Sequence, residues 1–109
     1  MLEALFGSEN AARVLLFLEA RGEGYARQVA RFFGSALRPV QRQLEKLEAA
    51  GVLCSRKVGR TRLYTFDPRY PLGTELRALL AKALRFLPAD EQDALLMDRR
   101  RPRRPDKPL

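Results

Sequence analysis

Two glycine breaks decide most of what this chain can become. Gly22-Glu23-Gly24 and Gly34 fall inside a helix-rich stretch and cut residues 8–50 into three short segments. Glycine weakens a helix interior and reaches the left-handed region without a Cβ clash, so each break ends a helix and turns the chain. Segments this short are marginal as isolated helices and must pack on one another. The first is predicted as a helix from Ser8 to Arg21, with Ser8 as N-cap and Glu9 near the positive end of the dipole. Ala11, Val14, Leu15 and Leu18 recur at helical spacing, and Leu16 and Phe17 widen the apolar face until two surfaces need cover.

The second segment is expected to be helical from Tyr25 to Phe33, with Ala26, Val29, Ala30 and Phe33 on one side and Arg27, Gln28 and Arg31 on the other. Gly34 suits its left-handed terminus. The third helix starts within Ser35–Arg38 and runs to Ala50. Pro39 fits only in its first turn, where a missing N–H costs nothing. Val40, Leu44 and Leu47 face the core, while Arg38, Gln41, Arg42 and Glu45 face out with Lys46 beside them. A break of three or four residues between two such helices has the length of a helix-turn-helix corner.

Residues 52–58 and 61–66 are predicted as strands joined by a Gly59-Arg60 turn. Leu63 and Tyr64 are adjacent and both apolar, so which hairpin face turns inward stays open. After a turn at 67–71, a fourth helix is expected over 72–87, and Pro88-Ala89-Asp90 opens a short last helix to about Asp98. Residues 99–109, with three Pro, five Arg and one Lys, read as a basic disordered tail. The fold class is mainly α with a small β-hairpin, an α+β chain with one domain over 1–98 and a tail over 99–109.

Charge is segregated along the chain. Of its net +8, residues 25–62 hold +7, from nine basic residues against two acidic ones, and the tail holds +5. Residues 1–24 and 63–98 are each −2. Such a field calls for a polyanionic partner. The chain has no His and a single Cys, Cys54. It therefore lacks the ligands for a zinc site and cannot close an internal disulfide, which fits a reducing, cytoplasmic setting. Cys54 reads as a small buried strand residue. Residues 1–8 lack a basic, then apolar, leader pattern, so no signal peptide is expected, and no run is apolar enough to span a bilayer. There is no GxSxG and no phosphate-binding Gly-rich loop, and Glu45 and Glu48 read as ordinary surface carboxylates. No enzyme activity, cofactor or metal is expected.

Three stretches then carry a resemblance: YARQVARFFG at 25–34, VQRQLEKLEAAGVL at 40–53 and VGRTRLY at 58–64. In this order they resemble the small bacterial and archaeal winged helix-turn-helix regulators of the ArsR and MarR type, over roughly residues 5–87. LFGS at 5–8, with Asp67-Pro68, Pro71-Leu72 and Glu75-Leu76-Arg77, is similar to members found beside nucleotidyltransferase-type proteins. The resemblance implies DNA binding without metal sensing, because the Cys and His ligands of metal-sensing members are missing. Members often place Ser or Thr as recognition-helix N-cap, where this chain has Ala36; Ser35 is the alternative cap, one residue earlier.

On this reading Arg38, Gln41 and Arg42 reach base edges in the major groove, and Lys46 meets phosphate or only solvent. Arg27, Gln28 and Arg31 grip the backbone, and Lys57, Arg60 and Arg62 form a basic wing with Arg60 at its turn. The plain alternatives are a solvated helix face and a hairpin edge protected by charge. Leu5, Phe6, Leu16, Phe17, Leu72, Leu76, Leu79, Leu80, Ala83, Phe86 and Leu87 are expected to form a homodimer contact. The expected function is a transcriptional regulator, a repressor bound to double-stranded DNA in the cytoplasm at the nucleoid. The competing readings are a protein-interaction module that partners a nucleotidyltransferase-like protein, and RNA binding or non-specific DNA compaction. The tail adds phosphate attraction, binds an acidic protein, or does neither.

Overall fold

The computed structural model describes residues 2–97. Along them run α1 (Glu3–Phe6), α2 (Glu9–Arg21), α3 (Ala26–Phe33), α4 (Leu37–Ala49), β1 (Leu53–Val58), β2 (Thr61–Phe66), α5 (Gly73–Leu84) and α6 (Ala89–Met97). The chain is thus mainly helical with one antiparallel hairpin, the α+β class expected. The tail over 99–109 lies outside the described residues.

The central strut is α2. Ser8 caps it as expected, its Oγ accepting the Ala11 N–H at 2.9 Å, and Gly22 ends it with φ 87°. Val14, Leu15, Phe17 and Leu18 are wholly buried. The helix touches α1, α3, α4, α5, α6 and β2, so both of its apolar surfaces are covered by the chain's own elements. This corrects part of the expected dimer contact. Leu16 and Phe17, with Leu80 and Ala83 of α5, are buried inside a single chain and leave no free surface for a partner. A wide apolar face shows only that something covers it.

Gly34, with φ 66°, ends α3, and three residues later α4 begins. The N-cap of α4 is Ala36, and no side chain bonds there. Ser35 Oγ instead lies 3.4 Å from the Ala36 carbonyl, so the helix starts without the serine cap that was open from sequence. Pro39 falls in the first turn. Val40 and Leu44 are buried and Leu47 packs beside them.

The hairpin runs in register from Leu53↔Phe66 to Val58↔Thr61. Leu53, Ser55 and Lys57 share one face with Phe66, Tyr64 and Arg62. Leu53 and Tyr64 are buried on it, so Tyr64 and not Leu63 turns inward. A third segment joins the hairpin where α2 passes into α3. The Gly24 N–H donates to the Tyr64 carbonyl at 3.1 Å, and the Tyr64 N–H donates back at 2.8 Å. Only glycine fits there, because a Cβ at residue 24 would stand 2.8 Å from Phe17 Cε1.

α5 is shorter than the predicted 72–87. Past Leu84 the chain stays coiled through the N–H groups of Arg85, Phe86 and Leu87, each donating three residues back, before Pro88 stops it. α6 is held by Arg21, whose Nε donates to the Leu95 carbonyl at 2.7 Å and whose Nη2 donates to Ala94 at 3.3 Å. The same guanidinium lies over the Phe17 and Phe32 rings, 4.6 and 5.4 Å from their centroids. The α1 turn was not expected from sequence; it seats Leu2 in the core. Among the described residues no helix is long and apolar enough to cross a membrane.

Gly24→Ala is expected to lower unfolding free energy by about 1–3 kcal/mol, the usual cost of forcing a methyl into a packed core. Urea denaturation followed by far-UV circular dichroism measures it, and an unchanged midpoint would refute the close-approach argument.

Candidate nucleic-acid interface

α3, α4 and the hairpin meet around one groove. α3 enters with Tyr25 extended, its N–H donating to Gln28 Oε1 at 3.3 Å. Val29 and Ala30 are buried, which turns Arg27 and Arg31 outward. α4 buries Val40 and Leu44, and that periodicity exposes Arg38, Arg42, Glu45 and Lys46, with Gln41 half-buried. The hairpin tip exposes Lys57, Arg60 and Arg62. Between the start of α3, the side of α4 and the hairpin runs a groove of about 330 Å³, lined by Arg27, Gln41, Glu45, Arg60 and Arg62 with Tyr25 and Tyr64.

The structure therefore brings Arg27, Gln41, Arg60 and Arg62 to one groove. Arg38 and Arg42 stand one turn apart on the outer face of α4, with Lys46 a further turn along. Lys57 pairs across the hairpin with Arg62. Gln28 sits apart from this set. Its carbonyl oxygen caps α3, and its side chain lines a different hollow with Arg21, Phe32 and Ala94. Residue spacing placed it beside Arg27 and Arg31; the local capping bond takes its oxygen instead.

The charges of this side are poorly neutralised. Among the described residues only Arg56, of the nine basic residues between 25 and 62, joins an ion pair, to Glu23 at 3.4 Å. Elsewhere arginines are committed: Arg13 to Glu9 at 3.1 Å, Arg69 to Asp67 at 3.1 Å and Arg77 to Glu19 at 2.9 Å. Arg69 also donates its backbone N–H to Asp67, and together these bonds hold the Asp67 carboxyl below its ordinary range.

One lock ties the hairpin to α4. Ser55 Oγ donates to Glu48 Oε2 at 2.6 Å and accepts from Arg62 Nη1 at 3.0 Å. This chain of bonds holds the guanidinium end of the Arg62 side chain and accounts for Glu48. Sequence reasoning missed Ser55, since no local pattern marks a residue whose partners lie seven positions away in each direction. Behind the lock sits Tyr64. Burial, and then the carboxylates of Glu48 and Glu45, push its phenol above the ordinary value.

A second surface lies along α5 and the residues that flank it. Leu72, Leu79 and Phe86 are 60%, 41% and 68% exposed. These three recur at intervals of seven residues, the heptad spacing of a helix–helix seam, with Leu72 as the N-cap of α5 and Phe86 just past its C-cap. Leu5 is also exposed, at 65%, whereas Phe6, Leu76 and Leu87 are partly buried against the core. Among the described residues no cluster of His, Cys, Asp or Glu could hold a metal. No protein-family model matches the chain, and no curated protein matches it.

The raised Tyr64 pKa has a stability consequence with a definite sign. The folded state favours the neutral phenol, so its contribution is complete below about pH 10 and is lost as pH rises through the raised folded value. Urea denaturation across an alkaline pH series is expected to show a shallower loss of stability for Tyr64→Phe than for wild type. Parallel curves would remove the assigned cause.

Proposed function

We propose that this chain is a winged helix-turn-helix transcriptional regulator that binds double-stranded DNA in a sequence-specific manner and acts as a homodimeric repressor. α3 and α4 are its helix-turn-helix, α4 is the recognition helix, and the hairpin is the wing. The observation that carries this reading is the set of cations on α3, α4 and the hairpin tip that have no carboxylate partner among the described residues. Exposed like charges repel one another, and a surface with no polyanion to meet gains by interspersing or pairing them. Here the pairing arginines lie outside 25–62, apart from Arg56; of the unpaired ones Arg27, Arg60 and Arg62 line one groove, and Arg38 and Arg42 are exposed on α4 beside it.

The division of labour follows from geometry. Arg38 and Arg42 project from the exposed face of a helix of major-groove dimensions, where arginine can bind guanine O6 and N7 and Gln41 can bind adenine. Arg27 at the start of α3 and Arg60 at the hairpin turn flank that helix and suit phosphates. Gln28 is left out of the contact set. About six to eight phosphate contacts would give log K a slope of about −5 to −7 against log salt.

We assign the α5 seam to a second copy of the chain. α5 packs on α2, and none of Leu72, Leu79 and Phe86 lines the groove between α3, α4 and the hairpin, so both surfaces can be occupied at once. A two-fold through the seam would set two recognition helices about 34–36 Å apart on a pseudo-palindromic site.

Fluorescence anisotropy on duplexes selected from a random pool tests the main claim. Arg42→Ala is expected to cost about 1–3 kcal/mol of cognate affinity and to relax preference at one base pair. Its thermal midpoint should stay put, because the side chain is exposed. A wild-type chain that binds no duplex at low salt overturns the proposal. For the seam, the double change Leu79→Glu and Phe86→Glu is expected to give a folded monomer by sedimentation equilibrium, with weakened binding to paired half-sites. A wild-type chain that sediments as a monomer at all concentrations refutes this assignment.

A further inference from the structure

Only two acidic residues fall between 25 and 62, and the structure treats them differently. Glu48 is accounted for by its bond to Ser55. Glu45 is exposed, lines the groove that Arg27, Arg60 and Arg62 also line, and forms no hydrogen bond or ion pair among the described residues. The simple role for a carboxylate amid arginines is to pair with one of them, as Glu9, Glu19 and Glu23 do elsewhere. Glu45 does not. It stands one turn beyond Gln41 on the same side of α4, next to Arg42 and opposite the buried Val40 and Leu44.

A carboxylate can only accept hydrogen bonds. Nearly everything a DNA major groove offers is also an acceptor: phosphate oxygens, guanine O6 and N7, thymine O4 and adenine N7. The donors are the exocyclic amines of cytosine and adenine. Adenine sets its N7 acceptor beside that amine, whereas cytosine offers the amine alone on its major-groove edge. A free carboxylate on a reading face is therefore repelled at most positions and satisfied at one.

Resting on the DNA-binding reading above, we infer that Glu45 is a specificity-determining residue that accepts a hydrogen bond from a cytosine N4 amine. It works by rejecting wrong sites as much as by holding the right one. Arg27, Arg60 and Arg62 supply attraction that any duplex satisfies, and Glu45 makes that attraction conditional on the base opposite it. Glu45 is thus the counterpart of Arg38 and Arg42, which demand acceptors where Glu45 demands a donor.

The test is selection from a random duplex library at fixed salt with the full chain, wild type, Glu45→Gln and Glu45→Ala. Both substitutions are at an exposed residue, and thermal melts confirm that each variant folds. Wild type is expected to enrich cytosine about fivefold or more at one position per half-site. Glu45→Gln should move that position toward adenine, which a glutamine amide can bind. Glu45→Ala should flatten it, raise affinity for unrelated duplex several-fold, and leave preferences at other positions intact. If Glu45→Ala strengthens all duplexes equally with every base frequency unchanged, Glu45 only balances charge and the inference fails while the DNA-binding reading stands. If wild type enriches no base at any position, sequence reading by α4 fails and this inference falls with it.

Discussion

The reciprocal backbone bonds between Gly24 and Tyr64, made against the edge of Phe17, connect the two halves of this molecule. On one side lies a helical core threaded by α2. On the other lies a hairpin that could not be stable alone, since a two-stranded ribbon in water is marginal. The hairpin gains stability by burying Leu53 and Tyr64 and by pairing β2 with the segment that leads into α3. The segment fits against the Phe17 ring at that point only because residue 24 has no side chain. The hairpin wall of the groove and its α3 end are joined by this contact. Arg60 and Arg62 lie on the hairpin, Arg27 follows three residues after Gly24, and Gln41 and Glu45 face them from α4.

The arginines divide into two kinds by what surrounds them. Arg13, Arg21 and Arg77 lie over the rings of Phe33, Phe17 with Phe32, and Phe66, respectively. Each of these also has a fixed oxygen partner, a carboxylate for Arg13 and Arg77 and the α6 carbonyls for Arg21. Planar guanidinium suits this double use, stacking through its face and donating from its edge. Arg21 does most, since it joins α2, α3 and the end of α6. The arginines of α3, α4 and the hairpin tip have no such surroundings. Apart from Arg56, which pairs with Glu23, and Arg62, which Ser55 holds, their side chains are not tied down, so on the proposed reading binding would have to order them, at a cost that phosphate and base contacts must exceed.

Much of this organisation was legible in the residues, and what was not has physical causes. Period and punctuation placed α2, α3, α4 and the hairpin, because Ser8, Gly22, Gly34, Pro39 and Gly59 act locally through capping and backbone freedom. The inward face of β2 was undecidable between Leu63 and Tyr64, since alternation gives two equal registers. The choice rests on Gly24, some forty residues earlier in the sequence. The apolar width of α2 correctly demanded two covers, yet Leu16 and Phe17 were assigned to a second subunit. Hydrophobicity does not identify which chain supplies the cover. The same ambiguity misplaced Leu80 and Ala83, while Leu72, Leu79 and Phe86 remain exposed. Gln28 matched the spacing of a basic face but was diverted by a capping bond three residues back. The α1 turn is four residues long, below the length at which periodicity carries information.

This arrangement separates what holds the fold from what the outer face of α4 presents. Val40 and Leu44 hold α4 in the core, while Arg38, Arg42 and Glu45 contribute no contact to it, so the outer residues can vary without endangering the helix. The hairpin has less freedom. Ser55 links Glu48 of α4 to Arg62 at the groove, so a change there alters both the seating of the hairpin and the direction of a cation. The same constraint gives the hairpin its precision. A hairpin carried only by its own two strands would leave Arg60 and Arg62 anywhere within reach of a flexible tip. Anchored at Gly24 by its backbone and at Glu48 by its side chains, it presents them at a fixed distance from Gln41 and Glu45. If the groove reads bases as proposed, that rigidity is what keeps the carboxylate of Glu45 and the guanidinium groups around it at the spacing discrimination requires.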